Sequence, residues 1–109
     1  AEHKNQMLYV KQLKEKKGMF DVILDVRSKE EYEQGHVANS IHIDYKDLLK
    51  DKSILKQNKI TKEDIILIYC KSGNRASIVA NKLVKDYHYD KTKLFLTTES
   101  YKEINKVLL

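Results

Sequence analysis

A chain of 109 residues, 41% apolar and 34% charged, has the side chains for one compact domain and too few residues for two, so a single domain over residues 1–109 is expected. Lys and Arg outnumber Asp and Glu by 21 to 16, yet the groups Lys14-Glu15-Lys16-Lys17 and Lys50-Asp51-Lys52 each contain an acid, and no aromatic residues alternate with them as a base-stacking platform needs. Nucleic-acid binding is therefore not expected, no apolar run approaches the ~20 residues of a membrane span, and a lone cysteine excludes an internal disulfide and a four-cysteine zinc site.

The four histidines lack metal-ligand spacing, and neither a metal nor an organic cofactor is expected. The chain starts at Ala1 rather than Met, so an initiator methionine, a tag or a secretory signal peptide is expected to have been removed. A soluble protein of the cytoplasm or the periplasm is expected, the three origins leaving the compartment open.

Along the chain, residues Asn5 to Lys17 carry Met7, Val10 and Leu13 at helical spacing, and Gly18 is placed to close that helix in a left-handed cap. Val22-Ile23-Leu24-Asp25-Val26 is short and almost wholly apolar, as in a parallel strand covered on both faces. Ser28-Lys29-Glu30-Glu31 is a capping box, predicting a short helix that Gly35 stops. A brief strand at Ile41-His42-Ile43, a helix around Tyr45-Leu49 and a polar turn at Thr61-Asp64 follow.

Ile65 to Tyr69 is the strongest strand signal. Ala76, Val79, Ala80, Leu83 and Val84 then form one apolar helix face, Leu94-Phe95-Leu96 a last strand, and Tyr101, Ile104, Val107 and Leu108 the buried side of a closing helix. Strands alternating with helices predict an α/β domain whose mainly parallel sheet carries helices on both faces. The tyrosines are expected at the edge of the core or in interfaces.

Ligands in such folds bind beyond the carboxyl ends of the strands, where Cys70 falls. The segment Cys70-Lys71-Ser72-Gly73-Asn74-Arg75 joins the strongest strand to a helix. Gly73 permits positive φ, so successive N–H groups can converge on one centre and stabilise an anion, with Lys71 and Arg75 adding positive field. Such a loop favours a thiolate, and it makes Cys70 a candidate nucleophile rather than a small hydrophobe closing a strand.

Cys70-Lys71-Ser72-Gly73-Asn74-Arg75-Ala76-Ser77 resembles the active-site loop of the single-domain rhodaneses, the thiosulfate sulfurtransferases. A second block is similar to the family's amino-terminal signature: Leu24-Asp25-Val26-Arg27-Ser28, Glu31-Tyr32, then Gly35-His36-Val37-Ala38-Asn39-Ser40-Ile41-His42-Ile43. The likeness extends from about Asp21 to Leu96.

The resemblance implies that Cys70 takes a sulfane sulfur from thiosulfate or a similar anionic donor. As a persulfide it passes that sulfur to cyanide, a thiol or a protein acceptor. Lys71, Ser72, Gly73, Asn74 and Arg75 would form the substrate cradle. Arg75 would either hold the donor's sulfonate or close the loop by pairing with a carboxylate. Asp25 and Arg27 are implied to be a supporting charge pair, and His36 a hydrogen-bonded structural residue.

The related phosphatases and arsenate reductases resemble a loop one residue longer, a wider cradle suited to a tetrahedral oxyanion. After the last strand the family carries a Gly-Gly turn, whereas this chain has Thr97-Thr98-Glu99-Ser100. Glu99 is there expected to bring negative charge near the mouth of the site. That departure keeps a second class of function in view, a non-catalytic binding or sulfur-carrier module. His3, His42 and His88 carry no motif.

Overall fold

The computed structural model describes residues 7–108. The strands are β1 (Met7–Leu8), β2 (Val22–Asp25), β3 (Ile41–His42), β4 (Ile66–Tyr69) and β5 (Leu94–Thr97). The helices are α1 (Val10–Glu15), α2 (Lys29–Gln34), α3 (Tyr45–Lys50), α4 (Ser53–Gln57), α5 (Asn74–Lys85) and α6 (Tyr101–Leu108), with a 3-10 turn at Lys91–Lys93. The strands lie in the order β1-β5-β4-β2-β3, and every neighbouring pair is parallel.

Alternation along the strands divides the core in two. Ile66 and Ile68, with Leu24 and Leu96, pack against Leu48 of α3, Leu55 of α4 and Ala76, Val79, Ala80 and Leu83 of α5. Leu67 and Tyr69 face the opposite way, onto Leu13 of α1 and Ile104 and Val107 of α6. Helices thus cover both faces, and all four residues of β4 are buried, which is why its sequence shows no polar alternation. Each fully buried Leu or Ile contributes ~1.5–3 kcal/mol.

Two elements differ from the sequence reading. Met7–Leu8 is a strand rather than the start of a helix, because it pairs with Leu96 and Thr97 at the sheet edge. The helix begins only at Val10, whose N–H donates to Glu99 Oε2 at 3.1 Å. Asn5 and His3 lie outside the described residues. Gly18 does adopt φ +86°, but in a turn beyond the helix, which ends at Glu15.

The short helix α4 was not anticipated, since it buries one leucine and has little periodicity to read. Three tyrosines belong to the core itself rather than its edge: Tyr69, Tyr87 and Tyr89 are all buried. The hydroxyls of Tyr87 and Tyr89 donate to the carbonyls of Leu48 and Ile60, which lets polar tips enter an apolar interior.

Candidate active site

Strand register brings the site together. Asp25, Tyr69 and Thr97 stand side by side at the carboxyl ends of β2, β4 and β5, so the residues that follow each one emerge along a single edge. Cys70 is the first residue after Tyr69. Because side chains alternate, Tyr69 points into the α1/α6 side and Cys70 into the α5 side.

The Cys70 residue is 1% exposed, and its Sγ accepts the Gly73 N–H at 3.0 Å. Gly73 caps α5 at φ +90°, a left-handed conformation that glycine adopts without strain. Space also demands glycine: a Cβ there would meet Thr98 Cγ2 at 2.7 Å. The turn after β5 therefore presses directly on the cysteine loop. The positive end of α5 opens toward the sulfur, adding a favourable field for negative charge.

Around this centre Lys71, Ser72 and Asn74 are exposed, while Arg75 is half-buried. The Arg75 guanidinium donates to both oxygens of Glu31, at 2.7 and 3.1 Å. Of the two roles open in the sequence, carboxylate pairing is the one the structure displays. The hydrogen bond from Arg75 holds the Glu31 carboxyl well below the usual range, at about 2, and the same bond raises the pKa of Arg75. Glu31 also accepts the Ser28 N–H at 3.1 Å in the capping box of α2, so one carboxylate ties that helix to the cysteine loop.

Beneath the loop is a buried polar network. Asp25 is 0% exposed and accepts from the Arg27 backbone N–H, from Arg27 Nε and Nη2, and from the Tyr69 hydroxyl at 2.6 Å. The Tyr69 oxygen in turn accepts the Val37 N–H at 2.9 Å, and Arg27 donates to the Gly35 carbonyl at 2.6 Å. Burial opposes the charge of Arg27, but Asp25 outweighs it and its pKa is raised. Burial and the neighbouring Asp25 likewise raise the pKa of Tyr69. The guanidinium lies between the rings of Tyr69 and Tyr101, 5.4 and 5.2 Å from their centroids.

His36 donates from Nδ1 to the Tyr32 carbonyl at 2.8 Å and stacks on the Tyr32 ring, 3.7 Å between centroids. His42 donates to the Arg27 carbonyl at 2.7 Å. Both bonds brace the turn beside the network.

A cleft of about 360 Å³ opens over Cys70, lined by Arg27, Glu31, Gln34, Lys71, Ser100, Tyr101 and Lys102. Glu31 was visible in the sequence as a capping residue and as part of the amino-terminal signature; its position on the cleft comes from folding. Ser100 was marked in the sequence as part of the turn that departs from the family, whereas Gln34, Tyr101 and Lys102 left no signal as lining residues, because the packing of α2 and α6 decides that they meet the loop. Glu99 does not charge the mouth as expected: its carboxylate caps the start of α1. Among the described residues no helix is long and apolar enough to cross a membrane.

The family model for the rhodanese-like domain matches residues 8–106. Over 64 residues, 59% of this chain, the sequence is 36% identical to the thiosulfate sulfurtransferase GlpE of Coxiella burnetii, a stretch that covers 55% of that protein. Over 63 residues, 58% of this chain, it is 36% identical to YrkF of Bacillus subtilis, named as a candidate sulfur carrier, and covers 31% of it. The matched stretches thus span about half or less of these curated relatives. The fold is shared with a rhodanese-related protein of Thermoplasma volcanium, at a TM-score of 0.68 and 19% identity over 93% of this chain and 91% of that one.

Proposed function

The chain belongs to the rhodanese-like domain family, and from that premise we propose that it is a sulfurtransferase working through a persulfide on Cys70. One observation carries this reading: Cys70 Sγ lies at the cleft, at the mouth of α5, with the Gly73 N–H directed at it from 3.0 Å. That donor is already in place where a thiolate or persulfide anion would form, so no reorganisation is required at the moment of reaction.

The Cys70 thiolate attacks the outer sulfur of thiosulfate, or of a similar donor. A bond forms between Sγ and that sulfur, the donor's S–S bond breaks, and sulfite departs with the electron pair. A second nucleophile then attacks the sulfane sulfur and returns Cys70 as a thiolate. Lys71 attracts the donor's anion, and the loop from Ser72 to Asn74 shapes the cradle. Arg75 keeps the loop closed by its bond to Glu31 rather than holding the sulfonate. Asp25, Arg27 and His36 act beneath the site, by holding the strand ends and the turn that carry it.

The test is intact mass after incubation with thiosulfate, for the wild type and Cys70→Ser in parallel. Gain of one sulfur atom by the wild type alone, removed by cyanide with release of thiocyanate, is the expected result. Absence of the adduct from the wild type overturns thiosulfate as the donor. Likeness to the candidate sulfur carrier supports a second reading, in which a dedicated protein loads and unloads Cys70. Under it thiosulfate alone leaves Cys70 unmodified, and turnover with small acceptors is negligible.

A further inference from the structure

Gly73 meets two demands that conflict. It reaches φ +90°, as glycine does without strain, and it holds its N–H on Cys70 Sγ, although glycine has the widest choice of backbone conformations. Its carbonyl is anchored, accepting the Ser77 N–H at 3.0 Å as α5 begins. Its N–H side continues into Ser72 and Lys71, which are exposed. The bulk that a side chain would supply comes instead from outside the loop. Thr98 Cγ2 lies 2.7 Å from the place a Gly73 Cβ would take, and Gly73 is buried.

Thr98 is itself fixed from both sides. Before it, Thr97 pairs with Tyr69 of β4 and Leu8 of β1, and its Oγ1 accepts the Glu99 N–H at 3.1 Å. After it, Glu99 accepts the Val10 N–H, and Ser100 Oγ accepts the Glu103 N–H at 3.3 Å as α6 starts. A β-branched side chain on so constrained a turn has little freedom at χ1. The Thr98 hydroxyl makes no hydrogen bond among the described residues, so what this residue gives the loop is its methyl group.

We propose that Thr98 is a positioning residue for Cys70: its methyl group confines Gly73, so that the Gly73 N–H stays directed at the sulfur when the sulfur is an anion. For the persulfide this rests on the sulfurtransferase reading above; for the thiolate it stands on the geometry of the loop. The charged and titratable groups around the sulfur are Arg27, Glu31, Lys71, Tyr101 and Lys102 on the cleft and Arg75 on α5, with Tyr45 of α3 acting on Arg75. An uncharged exchange at Thr98 leaves each of them in place. A change in the behaviour of the sulfur then reports the aim of the Gly73 N–H.

The experiment follows the rate of Cys70 alkylation by iodoacetamide against pH in the wild type and two variants. Thr98→Ser keeps the hydroxyl and loses the methyl, whereas Thr98→Val keeps the methyl and loses the hydroxyl. The Thr98→Ser profile is expected to move to higher pH by about half a unit, as a loosened hydrogen bond to the charged form requires. The Thr98→Val profile is expected to coincide with the wild type. Thr98 is exposed, so both variants are expected to melt with the wild type. A Thr98→Ser profile that stays in place overturns the proposal, as does a Thr98→Val profile that moves as far as that of Thr98→Ser. Intact mass after thiosulfate on the same wild-type sample separates this role from the reading beneath it. The expected profiles without a sulfur adduct uphold Thr98 and overturn thiosulfate as donor; an adduct with unmoved profiles overturns the role of Thr98 alone.

Discussion

Two arginine–carboxylate pairs flank Cys70, both with paired contacts between guanidinium and carboxylate, and they differ in what surrounds them. In the Arg27–Asp25 pair the side chains are 7% and 0% exposed, and the carboxylate has further partners in Tyr69 and the Arg27 backbone. In the Arg75–Glu31 pair the side chains are 24% and 29% exposed, at the rim of the cleft. The same chemical pairing is thus enclosed in a buried hydrogen-bond network in one place and set as a clasp at the rim of the cleft in the other. Removing one member of a buried pair leaves an uncompensated charge, costing ~3–5 kcal/mol, whereas an exposed pair is worth ~1 kcal/mol or less.

The largest expected effect comes from Asp25→Ala, which strands the Arg27 guanidinium in the core. A loss of about 3–5 kcal/mol in urea unfolding is expected, with specific activity per folded molecule falling less than stability. The opposite pattern, full stability with activity abolished, would make Asp25 part of the chemistry and end its comparison with a purely structural pair. Tyr69→Phe sharpens the comparison from within the buried network. It removes the hydroxyl that donates to Asp25 and accepts from Val37, leaving a buried N–H without its partner. A cost of about 1–3 kcal/mol follows for each unsatisfied group. If denaturation shows Tyr69→Phe as stable as the wild type, the network is not the cohesive unit its geometry indicates.

Glu31→Gln probes the clasp and should cost about 1 kcal/mol or less at neutral pH. Its pH dependence follows from the lowered carboxyl. A group whose folded value is depressed stabilises the protein fully above its unfolded value, near 4.5, and loses that contribution as the pH falls through its folded value, about 2. The stability gap between wild type and Glu31→Gln should therefore be constant above about pH 5 and close between roughly pH 4.5 and 2. Urea titrations across that window check it, and a gap that widens on acidification would reverse the assigned sign.

The legibility of these regions in the sequence also differed. Continuous apolar runs at β2 and β4 betrayed buried parallel strands, and the capping box at Ser28 located α2 to the residue, because these signals are local. The cysteine loop was readable for the same reason: strand, loop and helix are contiguous, and Gly73 marks the backbone turn. Met7–Leu8 was misread because two apolar residues fit either period, and only pairing with β5 made them a strand. Glu99 was misplaced because its partner is the Val10 N–H, 89 positions away in the chain.

The sequence alone determined the order of the elements other than β1 and α4, the apolar faces they bury and the cysteine loop with its glycine, all of which rest on residues within one turn or strand of each other. The parallel register decided the rest. By aligning Asp25, Tyr69 and Thr97, it drew Arg27 and Glu31 to the cysteine loop, set Thr98 against Gly73, and carried Lys102 to the cleft. Those meetings depend on how sheet and helices close together, since side chains far apart along a chain come into contact only when packing has fixed the backbone between them.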